Sequence, residues 1–301
     1  VAESGADLAG FCDAVKKAID SRTISPSPLK LRSLLAPLQL SYTTISDYQS
    51  CPACFYVKNV LGVPEPLSTQ LGTGSTVHNA LDTFFKRFVQ ADNNGETLPN
   101  LADLLNIGDA AYFAQAATSG LPTNPAEKAQ IRAHLTNAFT NLHRPSDHIV
   151  EHELKIRFPY TTASRTHNMT AKIDRLDDLG AGRYRIVDYK TGKSSKKLLT
   201  PAATDLQMGI YLMALRDKFE NPNLTGTAEY WLLATGERGI IDLADLDLPK
   251  IKKTIDDAVA GMLAGEWPSK KKSANAIQSL SLIHISEPTR LRRISYAVFC
   301  L

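Results

Sequence analysis

The chain is poor in cysteine, with four in 301 residues, at positions 12, 51, 54 and 300. So few, so placed, do not build the disulfide framework of a small secreted protein. No apolar run approaches the length of a membrane span, and no signal peptide opens the chain. A cytoplasmic protein without membrane contact is the expectation. Charge of one sign is also scarce: the net charge is +3, weak support for a nucleic-acid partner. There is no internal repeat. What remains is 43% hydrophobic and 22% charged, ordinary for a globular chain and enough for one large domain or two small ones. The opening residues from Val1 to Gly10 read like the interior of a protein, so an N-terminally incomplete fragment is expected.

Two stretches near the C-terminus have a different character. Leu280–Arg290 reads as the translation of a transposon-type sequencing adapter, and Ile294–Leu301 as that of the adjoining flow-cell primer. They are in frame, and Leu291-Arg292-Arg293 between them has the length of an index plus one base. Residues 280–301 are therefore set aside from fold reasoning, as an expression scar would be. They carry three of the 34 Lys and Arg and one of the 31 Asp and Glu, so the net charge falls from +3 to +1. The electrostatic argument for nucleic acid then nearly vanishes.

Periodicity organises the rest. Leu8, Phe11, Val15 and Ile19 recur at helical spacing, and the prolines at 26, 28 and 37 mark a linker. A domain is expected from about Leu40 to Pro268, with 1–39 as the end of a preceding region and 269–279 as a truncated segment. Ser41–Ser46 leads into a helix through Tyr56 to Leu61, ended by Gly62 and Pro64. A Gly-rich turn at 71–76 opens a helix striped with Val77, Leu81, Phe84, Phe85 and Phe88, followed by a polar loop at 91–96. Helices are expected at 100–118 and 124–142. Strands follow at 149–160, 168–176 and 183–189, as a meander. A helix at 202–219, strands at 226–234 and 239–241, and a helix at 249–265 complete the pattern. The fold class is α/β, a mixed β-sheet flanked by helices with an N-terminal helical portion.

The chemistry centres on Val187-Asp188-Tyr189-Lys190. Side chains alternate along a strand, so Asp188 and Lys190 share a face. Asp174 lies on the preceding strand. Two carboxylates from neighbouring strands can hold a divalent cation such as Mg²⁺ or Mn²⁺ against a phosphate, and a lysine beside them can offset developing charge. Alone, Asp-x-Lys reads more readily as a strand-end salt bridge. Other candidates surround it. His78 stands just inside the helix after Gly72-Thr-Gly74. Glu151 and Glu153 precede the first long strand, and Glu151 is the preferred further acid. Gln207 and Tyr211, four apart, share a helix face. Lys193, Lys196 and Lys197 form a basic loop that could follow a phosphate backbone, although each also suits a solvated loop.

Taken together and in order, these motifs resemble the PD-(D/E)XK nuclease superfamily. The sequence His78…Glu151…Asp174…Asp188-x-Lys190…Gln207-x-x-x-Tyr211 is similar to the RecB/AddB-type nuclease domain fused to UvrD-like helicases. Leu40–Tyr56 is similar to the start of that domain. The resemblance implies a restriction-endonuclease-like fold. It implies that His78, Asp174, Asp188 and the Tyr189 carbonyl ligate the metal, with Glu151 supporting it and Lys190 as catalytic lysine. Gln207 and Tyr211 would contact DNA or orient Lys190. It further implies a Mg²⁺- or Mn²⁺-dependent exonuclease on single-stranded DNA, partnered by a helicase in recombination and repair. A CRISPR-associated exonuclease or a catalytically silent DNA-binding module are the alternatives. Where many relatives have a glycine shortly before the first aspartate, this chain has Ala171-Lys172. Many relatives also hold a [4Fe–4S] cluster, which needs four thiolates. Cys51 matches the leading ligand but has too few companions here, so cluster ligand and packed core residue both stay open.

Overall fold

A computed structural model describes residues 37–60 and 72–268. The expected helix at 1–24, its linker, the 62–64 helix stop and everything from 269 onward lie outside the described residues.

The described chain falls into two compact units. Among the described residues, the first contains 37–60, the tip 161–167 of a hairpin, and 255–268. It opens with β1 (Gln39–Ser41) and α1 (Tyr42–Ser50). The Ser41 hydroxyl caps α1 by accepting from the Thr44 N–H at 3.1 Å. One continuous helix through Tyr56 is the sequence expectation. The structure breaks it at Cys51, which is extended (φ −154°, ψ 90°). Pro52 is the cause: its ring disfavours helical backbone at the preceding residue, and it has no N–H to continue the ladder. The chain restarts as α2 (Pro52–Phe55) and ends in a wide turn over Tyr56–Val60. Cys51 Sγ accepts from the Cys54 N–H at 3.2 Å and is bonded to Cys54 Sγ as a disulfide, a pairing the sequence reading did not anticipate. Trp267 closes this unit, stacked on Phe55 at 6.1 Å between ring centroids and edge-on to Tyr48 at 5.9 Å. The Tyr48 hydroxyl donates to the Glu266 carbonyl at 2.8 Å.

The second unit holds the larger core. Its helical part is α3 (Thr73–Asn94), α4 (Leu101–Ser119) and α5 (Pro125–Asn137), the last extended by a wide turn over Ala138–Leu142. Val77, Ala80, Leu81, Phe84, Phe85 and Phe88 form one fully buried stripe of α3, as spacing of three and four requires. The helix runs on through the expected polar loop and stops only at Gly95, whose φ of 65° suits a residue without Cβ. Asn100 and Asp103 make a reciprocal cap on α4, and Asn124 caps α5 ahead of Pro125.

The sheet comes next in the chain. The long strands β2 (His148–Thr161), β3 (Thr166–Gly180) and β4 (Arg183–Lys190) form the expected meander. A short turn of helix, α6 (Lys196–Leu199), and the longer α7 (Leu206–Lys218) then carry the chain to β5 (Thr225–Leu232). A crossover of that length allows β5 to pair parallel with β4, opposing Asp188 to Tyr230 and Lys190 to Leu232. The strand β6 (Glu237–Asp242) returns antiparallel, and α8 (Leu248–Ala264) begins in this unit. Parallel and antiparallel pairs in one sheet, with helices around it, are the mixed α/β architecture expected.

Two strand features shape the centre of this unit. In β2 the burial phase slips. Ile149 is buried at an odd position, whereas Ile156, Phe158 and Tyr160 are buried at even ones. Between them Glu153 adopts φ 48°, the mark of a bulge. In β3 one face is open as far as Lys172, and both faces are buried from Ile173 to Asp177. Arg175, fully buried, lies 4.6 Å from the Phe85 ring and 4.9 Å from the Trp231 ring. It donates through Nε to Asp177 at 2.7 Å and through Nη2 to Asp147 at 2.9 Å. Arg185, opposite Asp177 in the β3–β4 register, adds bonds of 2.8 and 2.6 Å to the same carboxylate.

Candidate active site

The centre of the second unit gathers the acids that the sequence singled out. β3 delivers Asp174 and β4 delivers Asp188, both nearly buried. Asp174 Oδ2 accepts from the Tyr189 N–H at 2.7 Å, so one carboxylate clamps the strand that carries the other. His78, in the second turn of α3, has Nδ1 3.2 Å from Asp174 Oδ1 and Nε2 3.1 Å from the Tyr189 carbonyl oxygen. Burial works against the imidazolium, but Asp174, Asp188 and Glu153 outweigh it, so the His78 pKa is raised.

The third member of this cluster is Glu153. Ligand atoms of His78, Glu153 and Asp174 all lie within 4.8 Å of one another. The sequence reading preferred Glu151, whereas the structure groups Glu153 with His78 and Asp174. Unbroken alternation makes the two glutamates equivalent, and the bulge at Glu153 breaks the alternation. The phase slip from Ile149 to Ile156 was the signal available in the sequence. Glu153 also ion-pairs with Lys172, two residues before Asp174 on the same face of β3. Asp82, one turn beyond His78, is paired through Oδ1 to His152 Nδ1 at 2.5 Å.

Asp188 anchors a second set of contacts. Its Oδ1 accepts from Gln207 Nε2 at 2.6 Å and from the Tyr211 hydroxyl at 2.9 Å. Its Oδ2 lies 2.8 Å from Lys190 Nζ, yet receives no hydrogen bond of acceptable angle. Burial first, and then the neighbouring Asp174, push the Asp188 pKa up to about 6, against the pull of Lys190 and Tyr211. The helix α7 supplies Gln207 and Tyr211 from adjacent turns, and Gln207 Nε2 also reaches the Tyr211 oxygen at 2.8 Å. Gln207 Oε1 accepts from Lys190 Nζ at 3.0 Å. Gln207 therefore touches both members of the Asp-x-Lys pair.

Two residues here escaped the sequence reading. Tyr230 places its ring 5.1 Å from Lys190 Nζ and donates its hydroxyl to Asp205 Oδ1 at 2.9 Å. Asp205 in turn caps α7 through the Met208 N–H. Only the parallel register brings Tyr230 beside Asp188, and no local pattern announces that register. Lys193, Lys196 and Lys197 lie exposed on the segment that leaves β4. Cys51 belongs to the other unit. Its disulfide with Cys54 means that it would ligate a cluster only after reduction.

The donor set suits a divalent cation. An imidazole and carboxylates converge, and one buried carboxylate oxygen is left short of hydrogen bonds. The arrangement is a strand-borne acid pair with a lysine held at its side, the layout of a phosphodiester-cleaving site. Comparison with known proteins agrees. A profile of the PD-(D/E)XK nuclease superfamily matches residues 39–274, and the chain belongs to that superfamily. Membership implies a nuclease hydrolase. The chain is also 26% identical to one of the subunits of the ATP-dependent helicase/deoxyribonuclease of Clostridioides difficile (strain 630), over 66% of this chain and 20% of that protein. The chain thus spans about a fifth of that relative's length. A solved structure described as "Crystal structure of SSO0001" is 13% identical, covering 72% of this chain and 82% of that one, with a TM-score of 0.29.

Proposed function

We propose that this domain is a divalent-metal-dependent deoxyribonuclease, with Mg²⁺ or Mn²⁺ as the ion. The observation that carries the reading is the intact set of Asp174, Asp188 and Lys190, gathered with His78, Glu153 and Gln207. Asp174, Glu153 and His78 would hold the ion, with Asp188 and the Tyr189 carbonyl completing the shell and Glu151 at most supporting it. When bound, the ion supplies a Lewis acid for the phosphate and lowers the pKa of a water. The remaining work falls to the chain. Gln207, Asp188 and the Tyr230 ring hold the Lys190 ammonium where it can offset charge growing on the attacked phosphate. Tyr211 fixes the Asp188 carboxylate and Gln207 with it.

The finer assignment is to exonucleolytic cutting of single-stranded DNA, with Lys193, Lys196 and Lys197 along the strand and a helicase as partner in recombination and repair, in the cytoplasm. It rests on the motif order and on the curated relative. Once reduced, Cys51 would be one ligand of a [4Fe–4S] cluster. Asp188→Ala provides the test. Cleavage of labelled single-stranded DNA with Mn²⁺ should fall by at least about 10²-fold, while DNA binding by fluorescence anisotropy persists. Binding without cleavage in the unmutated protein would mark a silent DNA-binding module instead.

A further inference from the structure

Lys172 is the one cation paired directly to a member of the His78–Glu153–Asp174 cluster in the described contacts, apart from the Lys190–Asp188 pair beside it. Its position on β3 puts it on the same face as Asp174. The ammonium faces the Glu153 carboxylate as an ion pair. Yet the side chain is 60% exposed, against 21% for Glu153. It therefore has room to swing into water, whereas the glutamate is fixed at the bulge.

We propose that Lys172 is a tethered counter-cation of the metal site, competing with the divalent ion for the Glu153 carboxylate and so setting the affinity of the site. This rests on the reading that the cluster takes a divalent cation. Seated on Glu153, the ammonium neutralises part of the cluster's negative charge. An arriving ion takes over the carboxylate, and the lysine turns outward. The exchange breaks one partly exposed ion pair and removes one repelling charge, so its weight is modest and sensitive to salt.

The test is calorimetric titration of Mn²⁺ into the full chain at low salt, without DNA. Lys172→Met is expected to bind Mn²⁺ about two- to fivefold more tightly than the unmutated protein, and Lys172→Arg about as it does. In a Glu153→Gln background the same Lys172→Met change is expected to bring no gain, since the contested carboxylate is gone. Unchanged or weaker binding by Lys172→Met overturns the proposal, and so does an equal gain in the Glu153→Gln background. If the unmutated protein takes up no Mn²⁺, the metal reading itself falls, which separates that failure from this one.

Discussion

Replacing Asp177 by alanine should cost the second unit far more than an average substitution. The carboxylate is fully buried and accepts four hydrogen bonds, two from Arg175 at 2.7 and 3.1 Å and two from Arg185 at 2.8 and 2.6 Å. Both guanidiniums also contact Asp147. Two cations and two anions balance in the intact group, and Asp177→Ala leaves a net positive charge in the core. Breaking a buried pair in this way costs about 3–5 kcal/mol. A domain of this size loses roughly 2–4 °C in Tm per kcal/mol, so a drop of about 6–20 °C is expected. Trp231 reports the event, because Arg175 packs on its ring. A Trp267→Phe background leaves it as the sole indole, since the chain has two tryptophans. Urea titration followed by that fluorescence should show a lower midpoint with an unchanged slope. A loss under about 1 kcal/mol would refute the claim that Asp177 balances the two arginines.

Further outcomes are expected at and near the site. Tyr230→Leu should lower kcat for DNA cleavage several-fold through a misplaced Lys190, while Tyr230→Phe, which keeps the ring near Lys190, should cost little; steady-state kinetics separate them. Without metal, the protein should gain stability relative to Asp188→Asn as pH falls from 8 toward 5. Asp188 binds its proton more tightly folded, at about 6, than unfolded, so the native state takes up the proton first. That shift corresponds to roughly 3 kcal/mol at most, and thermal unfolding in EDTA at several pH values should show the gap between the unmutated protein and Asp188→Asn widening as pH falls. Below about pH 4 the trend reverses. Although burial opposes it, bonds from His143, Arg185 and the Arg144 N–H hold Asp147 well below the usual carboxylate range, and its protonation forfeits them. Gly226→Ala should disrupt β5, because φ is 134° and a Cβ would stand 1.8 Å from the Tyr184 carbonyl oxygen; reduced soluble yield and a lower Tm would show it.

Much of this molecule was legible because its signals are local. The α3 stripe, the Asn100 and Asn124 caps, and the alternation in β2–β4 each follow from residues within a few positions. Asp174, Asp188, Lys190, His78, Gln207 and Tyr211 could be named because their order along the chain is itself a motif. The rest depends on what a linear pattern does not carry. Pro52 splits a helix whose apolar spacing looks continuous. The left-handed backbone at Glu153 breaks the alternation of β2, and with it the equivalence of Glu151 and Glu153. Tyr230 reaches Lys190 only through a parallel pairing made across α7. Arg175, Asp177 and Arg185 look like surface charges until β3 is found to be buried on both faces.

The central claim is metal-dependent cleavage of DNA at the Asp188–Lys190 strand end. The most direct measurement is a time course on an end-labelled single strand with Mn²⁺, with Mg²⁺ and with EDTA, comparing the unmutated chain with Lys190→Met. Shortening of the label with either ion, abolished by EDTA and reduced at least about 10²-fold by Lys190→Met, is the predicted result. Cleavage that persists in EDTA, or that Lys190→Met leaves unchanged, would contradict it.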